Sequence, residues 1–112
     1  MNGRSQQREQ KVADALAALG NRTRLRIFKL LVRAGPDGAN VGTIQRMLGV
    51  PATTLAHHLG TLAEADLVLQ DRRGREVICT ANYRAVGAVL DYVKAECCAG
   101  LASAGTTEND AA

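Results

Sequence analysis

Two of the three cysteines in this sequence, Cys97 and Cys98, are neighbours. Thiolates are soft ligands that select soft ions, and two on adjacent residues chelate with little loop-closure cost. In an intact helix adjacent side chains diverge by 100°. Capture of one ion by both sulfurs therefore asks the chain to fray or bend there. Another reading of the pair is two ordinary thiols at a helix end. The third cysteine, Cys79, shares a strand face with Val77. It reads as a small core residue or as a third sulfur for the pair. The histidines, His57 and His58, are also adjacent. A thiol nucleophile needs its base within hydrogen-bond reach, and the histidines and the cysteine pair fall on separate segments. No enzyme is expected.

The cations are clustered. Fourteen basic residues against eleven acidic give a net charge of +3. Arg22, Arg24, Arg26, Lys29 and Arg33 crowd one segment, and Arg72, Arg73 and Arg75 another. Such clusters read as a solvated face or as a nucleic-acid footprint. On a helical wheel, Leu55, Leu59 and Leu62 share one side. Thr53, His57, Gly60 and Glu64 point the opposite way, with Thr54, Ala56 and Thr61 at the margins. A surface of short hydroxyls and an imidazole, almost without charge, suits base edges in a major groove. His58 lies nearer the apolar side and reads as a packed, hydrogen-bonded histidine.

The elements that must position these groups follow from periodicity. Val12, Leu16 and Leu19 recur at helical spacing until Gly20. Asn21 can cap a second helix with Leu25, Phe28, Leu31 and Val32 on one face. Ala34-Gly35-Pro36-Asp37-Gly38 breaks the chain. A short helix with Ile44, Met47 and Leu48 follows, then a turn at Gly49-Val50-Pro51 and a fourth helix to about Ala65. Residues 67–71 and 76–80 are short and β-branched, joined by the Gly-containing turn Arg72-Arg73-Gly74-Arg75. Asn82 can cap a last helix carrying Val86, Val89, Leu90, Val93 and Cys97 as one stripe. The order is ααααββα, a mainly α fold with a β-hairpin. The third and fourth helices, joined by a few residues, form a helix-turn-helix, and the hairpin forms a basic wing suited to phosphates or the minor groove. A chain of 112 residues argues for one domain, placed at residues 10–98 between a disordered N-terminus (1–9) and a flexible tail (99–112). No apolar run approaches the ~20 residues of a membrane span. The N-terminus lacks a signal-peptide pattern, so a cytoplasmic protein with reduced thiols is expected.

Three stretches are similar to the ArsR/SmtB family of bacterial repressors. They are residues 19–27 (Leu-Gly-Asn-Arg-Thr-Arg-Leu-Arg-Ile), residues 53–59 (Thr-Thr-Leu-Ala-His-His-Leu) and residues 62–68 (Leu-Ala-Glu-Ala-Asp-Leu-Val). The resemblance spans about residues 10–98. It implies a winged-helix homodimer, joined through its first and last helices, that binds operator DNA and releases it when an inducer binds. Apolar stripes wider than one small core needs agree with such an interface. The DNA-reading candidates are Thr53, Thr54, His57 and Thr61; the phosphate candidates are Arg46, Arg72, Arg73 and Arg75. Asn21-Arg22 stands where many relatives have Asp-Pro.

The resemblance also bears on what is sensed. The family's Cys-x-Cys site in the third helix has no counterpart in residues 41–48. Its Asp/His/Glu site for zinc-like ions has none either, because the last helix holds Asp91 and Glu96 without histidine. Glu96-Cys97-Cys98 resembles the arsenic-responsive branch, whose cysteine pair sits at this end. The implied inducer is arsenite or methylarsenite, with antimonite a further candidate, bound by Cys97 and Cys98, with Cys79 as one option for a third ligand. No resident cofactor is implied. Two alternatives stay open: a thiol redox or persulfide switch, and a regulator without an inducer. Glu96 and the helix C-terminus both disfavour thiolate, which weighs against the redox switch.

Overall fold

A computed structural model describes residues 3–101. The elements are α1 (Gly3–Leu19), α2 (Arg22–Ala34), a 3-10 turn (Gly35–Asp37), β1 (Ala39–Asn40), α3 (Val41–Leu48), α4 (Ala52–Glu64), β2 (Val68–Arg73), β3 (Glu76–Ala81) and α5 (Tyr83–Lys94). This is the expected mainly helical winged helix-turn-helix. Three asparagines set helix starts: Asn21, Asn40 and Asn82 accept from the backbone N–H of Arg24, Thr43 and Ala85. Each satisfies a donor the helix cannot pair internally.

Ile27, Leu31, Ile44, Leu55, Leu59, Leu62, Leu67 and Cys79 are the largest fully buried side chains. They come from α2, α3, α4 and the hairpin, so burial of one shared core holds the helix-turn-helix against the wing. β2 and β3 pair antiparallel, with Arg73 opposite Glu76 across the two-residue turn Gly74-Arg75.

Three features differ from the sequence reading. First, residues 3–9, expected to be disordered, are the opening turns of α1. Gln, Arg and Glu propagate a helix well, and a polar helix needs no apolar face to extend into solvent. Second, a two-residue strand, β1, completes the sheet in the order β1-β3-β2, with Ala39 opposite Cys79 and Asn40 opposite Ile78. Two residues are too few to carry an alternation pattern. Gly38 delivers this strand at φ 68°, against the Cys79 backbone and the Thr80 side chain, where a Cβ would collide. Third, α5 stops at Lys94, so Cys97 does not continue its apolar stripe. Residues 102–112, most of the expected tail, lie outside the described residues.

Candidate nucleic-acid interface and thiol pair

The α3–α4 turn is built on Gly49, whose φ of 65° and ψ of 33° are left-handed and whose N–H donates to the Gln45 carbonyl. That conformation closes α3 at almost no steric cost for glycine. Pro51 then starts α4, with no side-chain cap. Leu55, Leu59 and Leu62 are buried, which turns Thr53, Thr54 and His57 outward, all three exposed. Thr61 does not join them. Its hydroxyl donates to the His57 carbonyl at 3.2 Å, and the residue lines a cleft with Asp14, Ala17 and Arg24, facing α1 and α2. The wheel put Thr61 at the margin; packing of α1 takes it to the inner side.

Arg46 is exposed on α3 and donates to the Thr43 hydroxyl at 3.3 Å. In the wing, Arg72, Arg73 and Arg75 are all exposed. Arg73 is already engaged, its Nε 2.9 Å from Asp71 Oδ2. An exposed pair of this kind is worth at most about 1 kcal/mol, so a phosphate can displace it. Arg72 and Arg75 carry no ion pair among the described residues.

A contact behind the reading surface escaped sequence reasoning. Arg24 donates through Nε to the Ala18 carbonyl at 2.7 Å and through Nη1 to His58 Nδ1 at 3.3 Å. Arginine has no acceptor, so Nδ1 must accept and the ring proton sits on Nε2. One side chain of α2 thus ties the end of α1 to α4. His58 is half-buried, as a packed and hydrogen-bonded histidine should be. Its pKa is lowered by burial first, then by the charge of Arg24 and by His57. The signal was present in the basic run of α2, but nothing in the run singles out Arg24 from its neighbours.

Beyond α5 the chain tightens. Glu96, Cys97 and Ala99 each donate a backbone N–H to the carbonyl three residues earlier. Cys98 has φ 63°, a left-handed value uncommon outside glycine and asparagine. This turn removes the helical splay between adjacent side chains, and the two sulfurs lie 3.6 Å apart, both residues exposed. The expected fraying is therefore already present as a turn. An atom about 2.3 Å from each sulfur, the usual length of a thiolate bond to a first-row ion, would see them at about 100°.

Cys79 stands apart from the pair. It is fully buried on β3, with Gln70 Nε2 4.0 Å from its sulfur, and burial pushes its thiol pKa up. No group of three or more His, Cys, Asp or Glu residues suited to a metal ion exists among the described residues. Nor does any thiol there hydrogen-bond a histidine.

A helix-turn-helix domain family matches residues 19–71. No curated protein matches the chain. Among solved structures, the chain is similar to an ArsR-like transcriptional regulator from Rhodococcus sp. RHA1, with TM-score 0.67 and 26% identity over 79% of this chain and 83% of that one. It is also similar to a homodimeric winged helix-turn-helix DNA-binding domain from Mycobacterium bovis, a possible ArsR-family regulator. There the TM-score is 0.68 and the identity 26%, over 86% of this chain and 88% of that one. HlyU from Vibrio cholerae N16961 shares the fold at TM-score 0.65 and 24% identity, over 88% of this chain and 99% of that one. The domain match and the exposed α4–wing surface define a winged helix-turn-helix DNA-binding protein. The fold is similar to those of the Rhodococcus and Mycobacterium structures, an ArsR-like and a possible ArsR-family transcriptional regulator. Among the described residues, no helix is long and apolar enough to cross a membrane.

Proposed function

We propose that this chain is a cytoplasmic, homodimeric repressor that releases operator DNA when trivalent arsenic binds the thiolates of Cys97 and Cys98. The observation that carries the reading is the 3.6 Å separation of two exposed sulfurs on a turn just past α5. Trivalent arsenic exchanges hydroxyls for thiolates without redox change. Methylarsenite and two thiols give a dithio-methylarsenic product and two waters; arsenite and two thiols also release two waters but give a dithiolate with a hydroxyl in place of the methyl group. Two sulfurs replace every hydroxyl of the first and leave the second one sulfur short of three. With Cys79 locked in the core, one protomer offers a two-thiol site, and methylarsenite is the better fit. Antimonite, a larger ion of the same chemistry, is the further candidate.

Dimerisation rests on α1 and α5. Leu16, Leu90 and Val93 remain 47%, 57% and 54% exposed on these helices, large apolar groups that a second copy would cover. The homodimeric state of the Mycobacterium domain supports a dimer. On DNA, Thr53, Thr54 and His57 read bases while Arg46, Arg72, Arg73 and Arg75 hold phosphates. Thr61, turned toward α1, is dropped from the readers.

The test is release of an operator-bound dimer by methylarsenite, arsenite, antimonite and peroxide in parallel. Methylarsenite should act at the lowest concentration, and the Cys97→Ser, Cys98→Ser double variant should bind DNA normally and ignore it. Release by peroxide alone would overturn the arsenic reading, and unchanged release from the double variant would remove the thiols from the mechanism. His57→Ala should lose preference for operator over random duplex. Arg72→Ala or Arg75→Ala should weaken all duplexes alike and reduce the salt slope by about one.

A further inference from the structure

A groove of about 590 Å³ runs between α2, the Gly38–Ala39 segment and α3, well inside the size range of small-molecule sites. Arg26, Lys29 and Arg33 stand along its α2 wall, and Leu30, Met47 and Leu48 give it an apolar floor. No acidic residue lines it. Asp37, in the adjoining 3-10 turn, is not among its walls.

Among the described residues these cations have no ion-pair partner. α2 contains no acidic residue, and the one ion pair among the described residues lies in the wing. Like charges three and four positions apart on a helix repel, so this face of α2 bears a cost that no ion pair among the described residues offsets. The floor is anomalous in the opposite sense. Met47 is 67% exposed although it belongs to the apolar side of α3. Cations alone suit bare phosphate, and an apolar floor alone suits another hydrophobic face. The two together match a ligand carrying an anionic head on an apolar body. A second copy of this chain would bring the same three cations and be repelled. A DNA backbone would leave the floor unfilled.

We propose that this groove binds an organic acid, a carboxylate on an acyl or aryl body. The head lies between Arg26, Lys29 and Arg33, where the two guanidinium forks match a carboxylate and the Lys29 ammonium adds a point charge, and the body lies over Leu30, Met47 and Leu48. The Thr43 hydroxyl, also on the wall, adds a neutral donor. This site shares no residue with the thiol pair or with the α4 reading face, and it stands whether or not arsenic is sensed.

Backbone-amide NMR of the full chain, titrated with octanoate, octanol and inorganic phosphate, tests it. Octanoate should shift amides of α2, β1 and α3, binding about tenfold or more tightly than either partial mimic. The Lys29→Glu, Arg33→Glu double variant should abolish these shifts, and Met47→Gln should weaken octanoate but not phosphate. The Cys97→Ser, Cys98→Ser variant should bind octanoate as the parent does. The proposal fails if octanoate shifts map to α1 and α5 or are absent at millimolar ligand, or if phosphate alone binds as well. It also fails if random duplex DNA perturbs the same amides and displaces octanoate.

Discussion

At the scale of single residues, the three cysteines divide two and one. Cys97 and Cys98 are exposed, whereas Cys79 is enclosed and held as a thiol by its burial. Alkylation of the native protein, followed by intact mass, should add two groups rapidly and the third only on unfolding. Three groups added at one rate would contradict the burial. His58 gives a second residue-scale expectation. Its folded pKa lies below the ordinary value near 6.5, so the fold favours the neutral ring. Stability from this group is complete above the unfolded pKa and is lost as pH falls through 6.5 toward the folded value. Melting temperature should drop between pH 7.5 and 5.5, and His58→Asn should flatten that drop; equal slopes in the two proteins would remove His58 as its cause. The packing of His58 was legible on the helical wheel, as was the outward turn of His57. Arg24 was not, because its role depends on α1 and α4 meeting α2, a contact no local pattern encodes.

At the scale of elements, Asn82 joins three pieces. Its side chain caps α5 by accepting from Ala85 N–H and donates to the Asp66 carbonyl at 2.8 Å. Its own N–H donates to the Leu67 carbonyl at 2.9 Å. The end of the reading helix, the root of the wing and the start of the last helix thus converge on one residue. Asn82→Ala loses the cap and the side-chain bond, about 1–2 kcal/mol together. Thermal unfolding should shift down by about 5–10 °C; an unchanged melting point would mean that other contacts hold the junction. The sequence announced five helices and a hairpin through periodicity and turn residues, and all are present. It missed β1, whose two residues are defined by the free edge of β3 rather than by their own pattern. The last helix was read too long because Cys97 keeps the apolar spacing; the chain leaves α5 after Lys94 and tightens into a turn.

At the scale of the whole molecule, the protomer is elongated, 54 × 24 × 23 Å with a radius of gyration of 17.1 Å. A compact chain of this length has about 13 Å. The excess reflects helices that extend past the core, α1 above all, where every residue from 3 to 14 except Val12 is exposed. Leu90→Lys on α5 should therefore give a monomer by size-exclusion chromatography with light scattering, with much weaker operator binding. A dimer that survives this change would place the interface elsewhere.

The Asn82 junction has one mechanical corollary. The twelve residues of α5 make a rod of about 18 Å, bolted at one end to the base of the wing; near the other, Arg8 of α1 lies 5.6 Å over the Tyr92 ring, and the two sulfurs lie just beyond the tip. A sideways push of one ångström at that tip tilts the rod by about 3°. A ligand clamping the sulfurs, as proposed, would work at the long arm of a lever whose fulcrum touches the helix-turn-helix and the wing.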